Sequence, residues 1–355
     1  MPMSKTAIVP RVLALITAVA RTPLWVTIAS TVAALSLIAV ALTVFSEGTT
    51  YEGLDSGRMA FSFVVLLALA FVLFATPAMT DRVRDLIGAK GVVDSLVIAF
   101  TVAGSLVVAA APAGLWALLV TGVDASVWLA ALGALIVEVL VVAILVGVGF
   151  GTIARTGVAT AVAYSAISSL IVLPLLVLST VAFMPGVDQR VTVTMIEWPE
   201  DGKGVDPVTG YPVDPVCKTK NVQTQTFPQY NLVWAAAPTV PFTFVSEAVE
   251  PAVVEFDADL YGSMSRSTAP VDLFSTLSID SRGMQLPVVE DFAYSECDAL
   301  EETGQPYIDF YSGPQPQTVI DSTESGFAVG LLGQGVISGA WVAGMLIVPK
   351  LRRRT

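Results

Sequence analysis

The sequence predicts an α-helical polytopic membrane protein of six transmembrane helices, with a β-rich extracytoplasmic domain inserted between helices 5 and 6. Three observations carry this. Apolar residues make up 54% of the chain and charged residues only 14%, and mean hydropathy is +0.75, far from soluble norms. Six stretches, 24–45, 59–79, 92–120, 128–152, 158–184 and 327–348, are long and apolar enough to cross a hydrocarbon core, which takes about 20 residues of helix. Finally, a polar, acidic segment, 187–325, separates the last stretch from the other five.

The expected organisation is a cytoplasmic interfacial helix at 1–23, spans 1–5 within 24–186, the extracytoplasmic domain at 187–325, and a last span with a basic tail at 326–355. The opening stretch SKTAIVPRVLALITAVAR has cations at both ends and is too short to span, which suits a helix lying in the interface; the competing reading is a disordered basic tail. The run 24–45 is too long for a signal-peptide core and has no clean cleavage site, so it is read as a retained span. Stretch 92–120 contains Pro112 and is expected to kink or to end in the interface. Five crossings is the rival count, if 92–152 hides a re-entrant segment.

Charge sets the orientation. Lys5, Arg11, Arg21, Arg82, Arg84, Lys90, Arg155, Lys350, Arg352, Arg353 and Arg354 fall in one set of short segments. The opposite short loops hold Arg58 against Glu47, Glu52, Asp55 and Asp124. By the positive-inside rule both termini are cytoplasmic, the insert lies outside, and the location is the plasma membrane.

Within the insert, 22 Asp and Glu face 6 Lys and Arg, a net charge of −16. Nucleic-acid binding therefore has no electrostatic support. Such a charge keeps an exported domain soluble; the sharper reading is a site for a cation, with Glu255, Asp257 and Asp259 alternating along one face of a strand. Alternation at 190–198, 252–261 and 285–294 predicts strands. The apolar run YNLVWAAAPTVPFTFV at 230–245 holds Pro238 and Pro241 and is a poor span. It is either a buried strand of the domain or a segment resting on the membrane.

The only cysteines, Cys217 and Cys297, both lie in the insert, where a disulfide is permitted and stabilises by roughly 2–4 kcal/mol. Histidine is absent, which removes Ser-His-Asp and Cys-His catalysis and histidine metal or haem ligation. No nucleotide motif is present. No catalytic, metal or cofactor residues are assigned, and any energy source lies in another chain.

Two features of the spans carry chemistry. Glu138 stands in LGALIVEVLVVAILVG, about ten residues from either end, where an ionisable group costs several kcal/mol unless protonated, paired or facing a cavity. It serves either a transport path or coupling, or an inter-helix hydrogen bond as the protonated acid. Small residues recur at four-residue spacing at Gly147 and Gly151, Gly326 and Gly330, and Gly335 and Gly339, permitting close helix contact within or between subunits.

Four stretches carry a resemblance: RVLALITAVARTPLWV, FATPAMTDRVRDLIGAKG, VGVGFGTIARTGVATAVAYSAISSLIVLPLLV (146–177), and the last span with PKLRRRT. Together these resemble actinobacterial ABC transporter permeases of the type-2 exporter family. The resemblance implies an interfacial connecting helix before the first span. It also implies an ATPase-coupling segment holding Arg82, Arg84, Asp85 and Lys90, which as a pattern alone reads equally as an ordinary cytoplasmic loop. A permease of this kind pairs as a homodimer or heterodimer in membrane lipid, binds a cytoplasmic ATP-binding-cassette ATPase, and moves substrate outward. The alternative class is a non-transporting membrane protein whose ectodomain senses a ligand or assembles with a cell-envelope complex.

Overall fold

The computed structural model describes residues 13–14, 17–45, 56–89, 91–121, 123–153, 156–197, 204–205, 212–260, 263–289, 291–303 and 316–352. Six long helices dominate: α1 (Pro23–Phe45), α2 (Ser56–Ile87), α3 (Val92–Thr121), α4 (Ala125–Thr152), α5 (Thr156–Ser179) and, after the insert, a last helix, Phe327–Arg352. Among the described residues five of these are long and apolar enough to cross a membrane; the described apolar core of α1, residues 25–38, is shorter. Region 92–152 is two separate helices, α3 and α4, each of spanning length. Pro112 lies inside α3, which runs unbroken through it.

Most of the interfacial segment lies outside the described residues. Residues 13–14 and 17–20 are helical, and Val19 is buried in the main apolar core. The Thr22 hydroxyl turns back on the Ala18 and Val19 carbonyls, and Pro23 opens α1 at the first helical position, where its missing N–H is harmless.

Among the described residues the insert combines two small sheets with short helices. Strands β1 (Val187–Glu197) and β2 (Val216–Phe227) form an antiparallel pair, and β5 (Asp291–Ser295) joins the other edge of β1 in parallel. A separate hairpin pairs β3 (Val253–Leu260) with β4 (Ser263–Pro270); the side chains of Glu255, Asp257 and Asp259 lie outside the described residues. The helices are α6 (Pro241–Glu247), α7 (Leu273–Gly283), α8 (Glu296–Thr303) and α9 (Pro316–Ser322), so the last long helix is α10. Cys217 on β2 and Cys297 on α8 form a disulfide, Cα–Cα 6.2 Å, closing a loop of 80 residues.

One apolar core runs through the long helices and into the insert. Leu69, Leu73, Ile98, Leu106, Leu135 and Phe150 belong to it, and so do Phe244, Val245 and Phe274. The insert is therefore packed into the helices as well as linked to them. Polar side chains tie helix to helix: the Trp25 indole donates to Ser105 at 2.9 Å, the Tyr164 hydroxyl to the Phe74 carbonyl at 3.1 Å, and the Trp341 indole to Ser169 at 2.7 Å.

Candidate functional site

The run 230–245 forms no strand. It makes a 3-10 turn at Tyr230–Leu232, a longer one at Trp234–Thr239, and then α6. Pro238 and Pro241 explain why: each removes a backbone donor and prevents a continuous helix. Ala237, Pro238, Thr239, Pro241, Phe244 and Val245 are buried, so these residues form a wedge between the long helices. The wedge sits against the start of α10. A side chain at Gly330 would collide with the Pro238 carbonyl, and one at Gly333 with Thr239; Phe244 stacks on Phe327 with ring centroids 4.8 Å apart.

At the tip of the wedge lies the acid picked out from the sequence. Glu138, near the middle of α4, is fully buried. Its Oε1 accepts a 2.6 Å hydrogen bond from the Gln334 side-chain amide of α10, which also donates to the Thr239 carbonyl at 3.3 Å. Three separate elements thus meet at one polar point. Broken backbone is tolerated among span-length helices only when its polar groups are satisfied from within the protein, and Gln334 does this for Thr239. Sequence reasoning missed Gln334; a lone amide in an apolar helix was the signal available.

Comparison with protein-family models, curated proteins and solved structures found no match to this chain.

Two further clasps hold the insert. Arg58, in the first turn of α2, donates from Nε to Asp272 Oδ2 at 2.6 Å and from Nη2 to the Glu250 carbonyl at 3.1 Å. Asp272, fully buried, also caps α7 by accepting from the Ser275 N–H, so a single carboxylate serves both the cap and the ion pair. Next to it, Phe61 meets Phe274 edge-on at 6.2 Å. In the second clasp Glu247, at the end of α6, accepts from Arg282 Nε at 3.3 Å and from the Gly326 N–H at 2.9 Å. A carboxylate at the start of α10 is favoured by the helix dipole and by unpaired N–H groups there.

The expected coupling residues lie at the far end of α2. Arg82 and Asp85 are exposed, whereas Arg84 turns onto its own connection: its Nε donates to the Ala89 carbonyl and its guanidinium lies 5.8 Å from the Phe150 ring. Lys90 lies outside the described residues. Beside Arg82 in sequence, Leu86 is 68% exposed, and Val93, across the turn, is 72% exposed. These apolar residues were not singled out from the sequence, and they make the tip amphipathic. Among the described residues no group of three His, Cys, Asp or Glu side chains is placed to hold a metal ion.

Proposed function

We propose that this chain is the transmembrane permease subunit of an ATP-driven exporter. It crosses the plasma membrane six times, with both termini cytoplasmic and the insert outside. It carries no catalytic residues, and a separate cytoplasmic ATP-binding-cassette ATPase supplies the energy to a dimer of permeases. The observation that carries this reading is the proline-broken wedge meeting Glu138 and Gln334 among span-length helices. Broken segments beside buried polar side chains are how transporters build pathways at the bilayer midplane, and an ionisable residue at that depth marks such a pathway.

The tip of α2 supports the reading at the other end of the molecule. Arg82, Asp85, Leu86 and Val93 offer charge and apolar area together, which a partner's groove can bury, and α2 runs as one helix from that tip to the Arg58 clasp. Motion imposed at the tip therefore has one helical path to the insert, with Pro77 inside it as the point where the helix can bend. Purification of the full chain from its native membranes in mild detergent is expected to bring down an ATPase. Leu86→Asp with Arg82→Glu is expected to lose that ATPase at least tenfold while the chain keeps its unfolding midpoint. Retention of the ATPase by the double variant, or no ATPase with the unaltered chain, overturns the reading. The second reading, a non-transporting envelope protein, draws on the disulfide-tied sheet of β1, β2 and β5, whose outer strand β2 pairs on one side only among the described residues.

A further inference from the structure

Glu138 and Gln334 share a deficit that hydrogen-bond chemistry resolves in one way. Both are fully buried, and Gln334 Nε2 donates to Glu138 Oε1 at 2.6 Å and to the Thr239 carbonyl at 3.3 Å. The donors of the amide are then used up. Two atoms remain without partners, Glu138 Oε2 and Gln334 Oε1. They flank the same short hydrogen bond, one on each side chain. An amide oxygen only accepts, and so does a carboxylate oxygen. With Glu138 ionised, these two side chains leave a buried charge with one hydrogen bond and two unsatisfied acceptors, an arrangement folded proteins avoid.

A single proton on Glu138 Oε2 removes both deficits. The acid O–H donates to the Gln334 oxygen while the amide N–H donates to the acid carbonyl, closing an acid–amide ring. We propose that Glu138 and Gln334 form a one-proton binding site, and that the bound proton is what fastens α10 and the wedge to α4. The proton enters and leaves Oε2 as such, with no other bond made or broken. With it in place the ring is closed; as pH rises and it departs, two acceptors oppose each other and the link to α10 weakens.

No described ion pair competes for this role. The charged and titratable groups on the elements around α4 are Arg58 and Glu247, each bonded in a clasp of the insert; Asp81, Arg82, Arg84 and Asp85 at the far end of α2; Asp94 near the start of α3; Tyr164 of α5, which donates to Phe74; and Lys350 and Arg352 at the far end of α10, whose side chains lie outside the described residues. The unpartnered oxygens of Glu138 and Gln334 call for this proton whether or not the chain is an exporter.

Infrared spectroscopy of the full chain in lipid nanodiscs tests it. At neutral pH the protein is expected to show a protonated-carboxyl carbonyl band that Glu138→Gln abolishes. That variant keeps a donor and an acceptor, so it can close an amide–amide ring and fold. Its unfolding midpoint is expected to vary less from mildly acidic to alkaline pH than that of the unaltered chain, which falls as pH rises past the ordinary carboxyl range. Gln334→Leu, as a second variant, is expected to keep the band but shift it toward the frequency of a free acid. Absence of the band at neutral pH, or a band unmoved by both substitutions, overturns the proposal. So does an identical loss of stability with pH in the unaltered chain and Glu138→Gln.

Discussion

Arg58 is the residue whose placement changes most between sequence and structure. By charge counting it is the one cation on the wrong side of a topological rule. In the fold it is held, 13% exposed, against a fully buried carboxylate, and it joins α2 to the insert across 214 residues of chain. Removing one partner of a buried pair leaves the other uncompensated, which costs about 3–5 kcal/mol. Arg58→Ala is therefore expected to lower unfolding free energy by about 3 kcal/mol in a denaturant titration in detergent, the low end because Arg58 keeps some solvent. Asp272→Asn in the same chain removes the stranded charge and keeps a capping side chain, so the double variant recovers part of the loss. A double variant no better than Arg58→Ala means that the pair does not carry the effect.

Among the elements, α3 and α4 show how a weak sequence signal acquires a specific meaning. Gly147 and Gly151 were compatible with contact inside one subunit or between two. Here they lie against the first turns of α3. A Cβ at Gly147 would fall 2.6 Å from the Leu96 Cα, and one at Gly151 would collide with Val92. Gly339, by contrast, faces nothing within 4 Å. Gly147→Leu is expected to cost about 1–3 kcal/mol by overpacking, whereas Gly339→Leu stays within about 0.5 kcal/mol. Matched denaturation curves for the two variants check this, and equal losses would mean that the α3–α4 approach is not what Gly147 serves.

The long helices were legible because each apolar stretch is its own signal. The six expected ranges fall within or nearly upon α1 to α5 and α10. Alternation found β1 and β3 but not β2, since VCKTKNVQTQTF alternates among polar residues with few apolar ones to mark a buried face. The expected strand at 285–294 is reduced to Asp291–Ser295. The wedge and its partners were illegible for another reason. Gln334, Thr239 and Glu138 lie 95 to 196 residues apart, and no local pattern announces a meeting of that kind.

For the whole molecule, the insert has two tethers of different kinds. Near the long helices it is held by Arg58, Glu247 and the shared apolar core; away from them, the sheet is closed by Cys217–Cys297. On the chain-entropy model a bridge over a loop of 80 residues restricts the unfolded chain by about 4–5 kcal/mol. Cys217→Ser with Cys297→Ser is expected to lose roughly 2–4 kcal/mol as a drop in denaturation midpoint. Intact protein is expected to take up no thiol label until reduced, and prompt labelling without reductant would contradict the bridge. Because the bridge lies away from the wedge, the double serine variant is expected to keep the Glu138 band described above.

The seat of α10 also sets an order of assembly. Pro238, Thr239, Phe244 and Glu247 line it, and all four come from the insert, which leaves the ribosome before α10 does. The first turns of the last helix therefore lack part of their seat until the segment ahead of it has folded against α4 and α5, while Trp341 and Met345 farther along pack on those helices directly. Folding of the insert and full seating of the last helix are thus coupled steps, and any quality-control factor that senses an unseated final helix would be reading the state of the insert.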